Sequence, residues 1–267
     1  MANQPLNIKP GQPLPASATG GPTFPDQVSG MRVLAMSLHK IGVDKMYGLV
    51  GIPVTEVAYI AQEEGIKFVG FRHEQQAGMA AATHGFLTKT PGVLLTVSSL
   101  GFLNGLTSTI NATVNCYPMI QISGSSDRDT VDMQQGAYEE LDQFAVARPL
   151  VKAAYRVNKP EDIPTAVVRA YRAAISGRPG GVYLDMTVAS LGGVIDADKA
   201  NALIDAMIPP VGPVAEVAPN ADSVKRAADL IAGARKPVFL LGKGAAYAQV
   251  DDKIRNLIES TGIPYYP

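Results

Sequence analysis

The chain has 267 residues, 46% hydrophobic and 18% charged, which is enough apolar material for a large core and, on length, about two domains. A formal net charge of −1 leaves no electrostatic footprint for nucleic acid or an anionic membrane surface. Cys116 is the single cysteine, which excludes an internal disulfide framework and fits a reducing, cytoplasmic setting; no apolar run approaches the roughly 18 residues of a membrane span.

Residues 1–25 hold six prolines (Pro5, Pro10, Pro13, Pro15, Pro22 and Pro25) and few large apolar side chains, which predicts a flexible arm. A helical pattern then runs through Val33, Leu34, Leu38 and Ile41 to a stop at Gly42. Short apolar runs predict strands over residues 46–50, 66–71, 93–98, 119–123 and 181–186. Helical periods fall between them, over 55–64, 72–88, 103–115 and 160–176. Strands alternating with helices of this length predict an α/β domain over residues 26–190, a doubly wound parallel sheet covered on both faces. Residues 191–215 are expected to form a linker, with its strongest signal at Pro209-Pro210-Val211-Gly212-Pro213. A helix over 221–232, a strand over 237–241 and a helix over 246–260 then read as the beginning of a second α/β domain, residues 216–267. So few elements do not close a doubly wound core, so this domain is expected to be truncated, as in part of a longer protein.

Three strand-to-helix loops carry the chemistry. Gly51-Ile52-Pro53 follows the first strand of the alternation; it fits a ligand loop or an ordinary turn with proline opening a helix. Glu74, in Arg72-His73-Glu74-Gln75, opens a helix of small residues. It fits either a catalytic acid or an acid placed there by the helix dipole, an effect of about 0.3–1 kcal/mol. Ser98-Ser99-Leu100-Gly101-Phe102-Leu103-Asn104-Gly105 occupies the equivalent loop after a later strand, where glycines permit close backbone approach. In a parallel sheet all three loops converge on the carboxyl edge, where ligands bind. His39, His73 and His84 show no metal spacing with Cys116, which is expected to be a buried structural thiol. Gly242-Lys243-Gly244 lacks the third glycine of a dinucleotide fingerprint.

Taken in this order, Gly51-Ile52-Pro53, Phe71-Arg72-His73-Glu74-Gln75 and Gly101-Phe102-Leu103-Asn104-Gly105 resemble the pyrimidine-binding domain of thiamine-diphosphate-dependent decarboxylases. Within that superfamily the likeness is stronger to the oxalyl-CoA decarboxylases. It is carried by Gly124-Ser125-Ser126-Asp127-Arg128, Gln134-Gln135-Gly136, Tyr138-Glu139-Glu140-Leu141-Asp142-Gln143, Ser176-Gly177-Arg178-Pro179-Gly180-Gly181-Val182-Tyr183 and Leu241-Gly242-Lys243-Gly244-Ala245-Ala246-Tyr247-Ala248-Gln249. The resemblance implies the thiamine-diphosphate-binding fold and a carboxy-lyase of oxalate catabolism that converts oxalyl-CoA to formyl-CoA and carbon dioxide. It implies that Glu74 hydrogen-bonds the cofactor's aminopyrimidine and promotes loss of the neighbouring thiazolium proton. Ile52 is implied as an apolar or backbone contact to that ring, and Tyr138 and Glu139 as groups near the reacting centre, with Tyr138 contacting the cofactor. Arg178 and Lys243 match positions that bind an ADP activator, though a turn residue and a solvated lysine would also account for them. Also implied are Mg2+, an acyl-CoA substrate and a homotetramer built as a dimer of dimers. The ligands for Mg2+ and the diphosphate are implied in a further, C-terminal domain, without which the chain is expected to be inactive. Two alternatives stand beside this reading. One is 2-hydroxyacyl-CoA lyase, and the other a non-catalytic nucleotide-binding assembly module. Leu100 departs from the pattern where the family carries proline, and Thr83-His84-Gly85 where it carries an acidic-glycine step.

Overall fold

The computed structural model describes residues 26–136, 140–209 and 217–267. The expected arm, Tyr138 and Glu139, and the linker's proline cluster from Pro210 through Pro213 lie outside the described residues. The first region runs β1 (Gln27–Ser29), α1 (Gly30–Lys40), β2 (Lys45–Gly48), α2 (Thr55–Glu63), β3 (Lys67–Gly70), α3 (Glu74–Thr88), β4 (Gly92–Thr96) and α4 (Leu100–Asn115). It continues with β5 (Met119–Ser125), α5 (Arg128–Asp132), α6 (Gln143–Ala147), β6 (Ala153–Val157), α7 (Ile163–Ile175), β7 (Gly181–Thr187), α8 (Val188–Gly192), β8 (Val194–Asp196) and α9 (Ala197–Met207). The second region holds α10 (Ala221–Gly233), β9 (Phe239–Leu240), α11 (Lys243–Ala248), α12 (Asp251–Thr261) and β10 (Tyr265–Tyr266).

Six strands form one sheet in the order β3-β2-β4-β5-β7-β6, parallel throughout. Every residue of β4, β5 and β7 is buried, as expected of strands covered on both faces. Alternation along β4 divides the core: Val93 and Leu95 join α1, α2 and α7 on one face, whereas Leu94 joins α3 and α4 on the other. Fully burying each such side chain contributes about 1.5–3 kcal/mol. Helix ends follow local chemistry. The Ser29 hydroxyl accepts the Arg32 N–H (3.3 Å) at the start of α1, and Gly42, at φ +98°, turns the chain out at its end.

Two parts of the expected organisation change. The stretch expected as a linker, 191–215, contains β8, which pairs antiparallel with β1, and α9, whose Ala200 and Ile204 are buried in the first core. Those residues belong to the first packed unit because their apolar face is spent on α1 and α7. Strand β6, at the sheet edge, and helix α4 from Leu100 rather than residue 103 were also not expected.

Candidate functional site

From β2 the chain turns to β3 on one side of the sheet and then to β4 on the other. The carboxyl edge between β2 and β4 is therefore the topological switch point, where open α/β sheets hold ligands. The loops meet there in fact. A Cβ placed on Gly51 would lie 2.6 Å from Val97 Cγ1, and one on Gly101 would lie 2.4 Å from Val97 Cγ2 and 3.1 Å from Glu74 Oε1. One on Gly124, late in β5, would meet the Pro53 ring at 2.3 Å. The glycines are thus what let four strand ends approach one point.

Glu74 is the first residue of α3 and is 6% exposed. Its N-cap is His73, whose Nδ1 accepts the Gln75 N–H at 3.2 Å, so the imidazole occupies the cap and the carboxylate is free to turn inward. Asn104, one turn into α4, donates from Nδ2 to Glu74 Oε2 at 3.1 Å. The other oxygen, Oε1, lies against Gly101. The carboxylate is buried, held on one side by an amide and bordered on the other by the smallest residue. Around it the same loops leave apolar side chains open, with Ile52 72% and Leu100 65% exposed. This arrangement can present one carboxyl oxygen to a flat, partly apolar partner that has a polar ring atom.

Behind the site runs a buried polar seam that the sequence reading did not single out. Thr109 Oγ1 donates to Gln121 Oε1 at 2.6 Å, Gln121 Nε2 donates to the Phe102 carbonyl at 3.0 Å, and Thr96 and Ser123 share a hydroxyl bond of 2.6 Å. Gln143 is 1% exposed; its Nε2 faces the Gly124 carbonyl and the Tyr183 hydroxyl, each at 2.9 Å, and its Oε1 accepts the Ser99 N–H. Asp185, fully buried, is paired with Arg156, which also reaches Asp142 at 2.5 Å. Burial, and then the neighbouring Asp185 charge, push the Tyr183 phenol well above its ordinary value. Burial alone would raise the Asp142 carboxyl, but Arg156 and the Ala145 N–H outweigh it and hold it low.

Arg178 and Lys243, 65 positions apart in the chain, come together at the far end of α4. The Arg178 guanidinium donates to Cys116 Sγ at 2.9 Å and to the Val114 carbonyl at 3.0 Å, and the Lys243 ammonium contacts Asn115 Oδ1. They sit at the amino edge of the sheet, separated from Glu74 by a helix of 16 residues, about 24 Å at 1.5 Å per residue. Cys116 is half-buried rather than enclosed: it caps α4 at φ +63°, which turns it toward Arg178. Among the described residues no group of His, Cys, Asp and Glu could hold a metal ion, and no helix is long and apolar enough to cross a membrane.

Residues 28–146 match the N-terminal TPP binding domain of thiamine pyrophosphate enzymes, and residues 224–267 match the central domain of the same enzymes. The chain is 52% identical over 238 residues to oxalyl-CoA decarboxylase of Escherichia coli, a match that covers 89% of this chain and 42% of that protein. It is 40% identical over 245 residues to 2-hydroxyacyl-CoA lyase of Oryza sativa subsp. japonica, covering 90% and 42%. With the acetolactate synthase large subunit of Corynebacterium glutamicum the identity is 31% over 264 residues, covering 95% and 40%. The chain spans about two fifths of the length of these curated relatives.

Proposed function

The chain belongs to the thiamine pyrophosphate enzymes, and from that premise we propose that it serves a decarboxylase that converts oxalyl-CoA to formyl-CoA and carbon dioxide, with Glu74 as the cofactor-activating acid. The observation that carries this reading is the Glu74 carboxylate itself, 6% exposed at the switch point with Oε2 tied to Asn104 and Oε1 against Gly101. An aminopyrimidine fits such a place: it is flat, largely apolar, and has a ring nitrogen for one carboxyl oxygen. Thiamine diphosphate, when bound, supplies an electron sink for the pair left on the substrate carbon as carbon dioxide departs.

What this chain's residues contribute follows from their placement. Glu74 would hold a proton at a ring nitrogen of the bound aminopyrimidine, and its burial would keep bulk water from competing for that bond. Asn104 restrains the carboxylate, because the hydrogen bond from its Nδ2 to Glu74 Oε2 at 3.1 Å is lost when the group rotates away. Ile52 offers its exposed side chain as an apolar wall for the ring. Tyr138 and Glu139 are assigned to the reacting centre on their motif alone; Gln143, four residues beyond Glu139, is seated beneath the same edge. Mg2+ and the diphosphate are assigned to parts of the full-length protein other than the described residues.

Arg178 and Lys243 are proposed as the ADP-binding pair. Their position at the opposite edge of the sheet supports reading ADP as an effector rather than a participant in the chemistry. Both cations already complement the carbonyl end of α4, as a helix dipole favours, and a phosphate would compete for the same donors. A cytoplasmic homotetramer completes the proposal. A second reading, 2-hydroxyacyl-CoA lyase, is favoured by the 40% identity to the rice protein of that name.

In the full-length enzyme Glu74→Gln is expected to lower turnover of oxalyl-CoA by at least ~100-fold, the scale of a lost acid–base group. A near-normal rate would remove Glu74 from this role. Assaying formyl-CoA release from oxalyl-CoA beside cleavage of a 2-hydroxyacyl-CoA decides between the two substrate readings.

A further inference from the structure

We propose that Gln143 is a positioning residue for Glu74, acting through the first turn of α4. The proposal rests on the functional reading above and adds to it the device that holds the catalytic carboxylate in place. Its starting point is a backbone oddity. Ser99, the residue before α4, sits at φ +48° and ψ −99°, a conformation that a residue with a side chain rarely adopts. Such a conformation persists only where the surroundings over-determine it. Here the side chain of Ser99 makes no capping bond, so the helix end is not held by the usual local means. The hold comes from 44 residues away, where Gln143 Oε1 accepts the Ser99 N–H.

Gln143 suits that task because every part of its amide is engaged. Nε2 donates to the Gly124 carbonyl at 2.9 Å and to the Tyr183 hydroxyl at 2.9 Å, with Asp185 Oδ1 at 3.3 Å. Acceptors on one side and a donor on the other fix which way the amide faces, so Oε1 is committed to Ser99. The backbone beneath Gln143 is fixed as well. Its neighbour Asp142 caps α6 by accepting the Ala145 N–H at 3.1 Å and is bound to Arg156 at 2.5 Å. Arg156 also lies over the Phe144 ring, 5.0 Å from its centroid, and pairs with the buried Asp185. Position is therefore passed from β7 through Arg156 to α6, through Gln143 to Ser99, and along one turn of α4 to Asn104. Asn104 touches Glu74. From Arg156 to Gln143, from Gln143 to Ser99 and from Asn104 to Glu74 the position passes through part-buried groups, by hydrogen bonds or the backbone, so a shift at Gln143 is not readily absorbed by solvent.

The test uses the full-length enzyme with thiamine diphosphate and Mg2+, and two variants. Gln143→Met keeps the volume and removes every hydrogen bond. It is expected to lower kcat on the order of 100-fold, the cost of a misplacement of about 1 Å, while KM for oxalyl-CoA stays within about 3-fold. Amide exchange at Ser99, read without turnover, is expected to quicken about 5-fold or more, as befits one lost hydrogen bond. Gln143→Glu supplies a signature that general damage to the fold would not give. A protonated carboxyl can still accept from Ser99 and donate to Gly124 or Asp185, whereas an ionised one loses the donor and faces the Asp185 charge. Its kcat relative to the parent enzyme is therefore expected to rise as pH falls. If Gln143→Met does not fold, this pH ratio decides. A Gln143→Met enzyme with unchanged kcat and unchanged Ser99 exchange overturns the proposal, as does a Gln143→Glu ratio that is low and flat with pH. Failure of the underlying reading is seen separately, as normal turnover by Glu74→Gln.

Discussion

Residues 26–208 and 217–267 are written in the same local vocabulary of amphipathic helices and short apolar strands, yet they end in different physical states. In the first region Val93, Leu94 and Leu95 of β4 are all fully buried, because α1, α2 and α7 cover one face and α3 and α4 the other. In the second, β9 has a single parallel partner, β10, and Leu240 is 79% exposed. Helix α10 leaves Leu230 76% and Val224 51% exposed, and Ile263 is the one buried hydrophobic among the region's described residues. Propensity and pattern are enough to draw helices and strands in both regions. Burial is non-local, and it distinguishes them. Glu74 and Asn104 lie in the region that closes its core, since a carboxylate can be held out of water only where neighbouring elements exclude it.

The contrast is broken most severely by uncovering a charge in the first region. Arg156→Ala leaves Asp185 fully buried without its guanidinium partner, and removing one member of a buried pair costs about 3–5 kcal/mol. Urea unfolding of the variant, followed by a probe in the first region, is expected to show that loss as a lower midpoint at unchanged slope. A loss below about 1 kcal/mol would mean that Tyr183 and Gln143 suffice for Asp185. A smaller break comes from packing. The α3–α4 contact is close because Gly78 has no Cβ; one placed there would lie 1.8 Å from Ser108 Oγ and 2.7 Å from its Cβ. Gly78→Ala improves helix propensity by about 1 kcal/mol, but the clash forces the helices apart, and overpacking of this kind costs about 1–3 kcal/mol. The net expectation is mild destabilisation, with a larger effect on turnover because Asn104 and Glu74 sit on those two helices. A variant more stable than the parent would show that α4 can retreat freely.

Much of this is legible in the amino-acid sequence. The 3.6-residue period located the main helices, short apolar runs located the sheet strands except β6, and three loop motifs marked Glu74 and Ile52. The omissions have physical reasons. Strands β1 and β8 are three residues each, too short to carry a period, and β6 is an edge strand, Ala153–Val157, with a weak apolar signal. The first turn of helix α4 is hidden in the sequence because Leu100-Gly101-Phe102 reads as loop; Gly101 is there because a side chain would strike Val97 and Glu74. Asn104 and Gln143 could be seen as members of motifs but not as partners, for their bonds span 30 and 44 residues. Pairings of that kind are created by the fold. Cys116 was expected inside because an apolar run follows it, and its capping conformation turns it out instead.

The smallest expected effect is the one that sharpens the contrast most. Leu230 is a leucine on an amphipathic helix, and by pattern alone it is indistinguishable from Leu34 or Leu38 of α1, both fully buried. If pattern set its worth, Leu230→Ala would cost as much as a core truncation, about 2–5 kcal/mol. With 76% of its surface already in water, there is little transfer energy left to lose, and the expected change is within about 0.5 kcal/mol. Alanine also favours helix slightly over leucine, which moves the balance further toward zero. The measurement is unfolding of the 267-residue chain beside the same substitution at Leu38. A cost at Leu230 comparable to that at Leu38 would mean that the second region buries this side chain in solution, and the distinction between the two regions would fall. In the full-length protein, a cost that appears only there would locate the surface that covers α10.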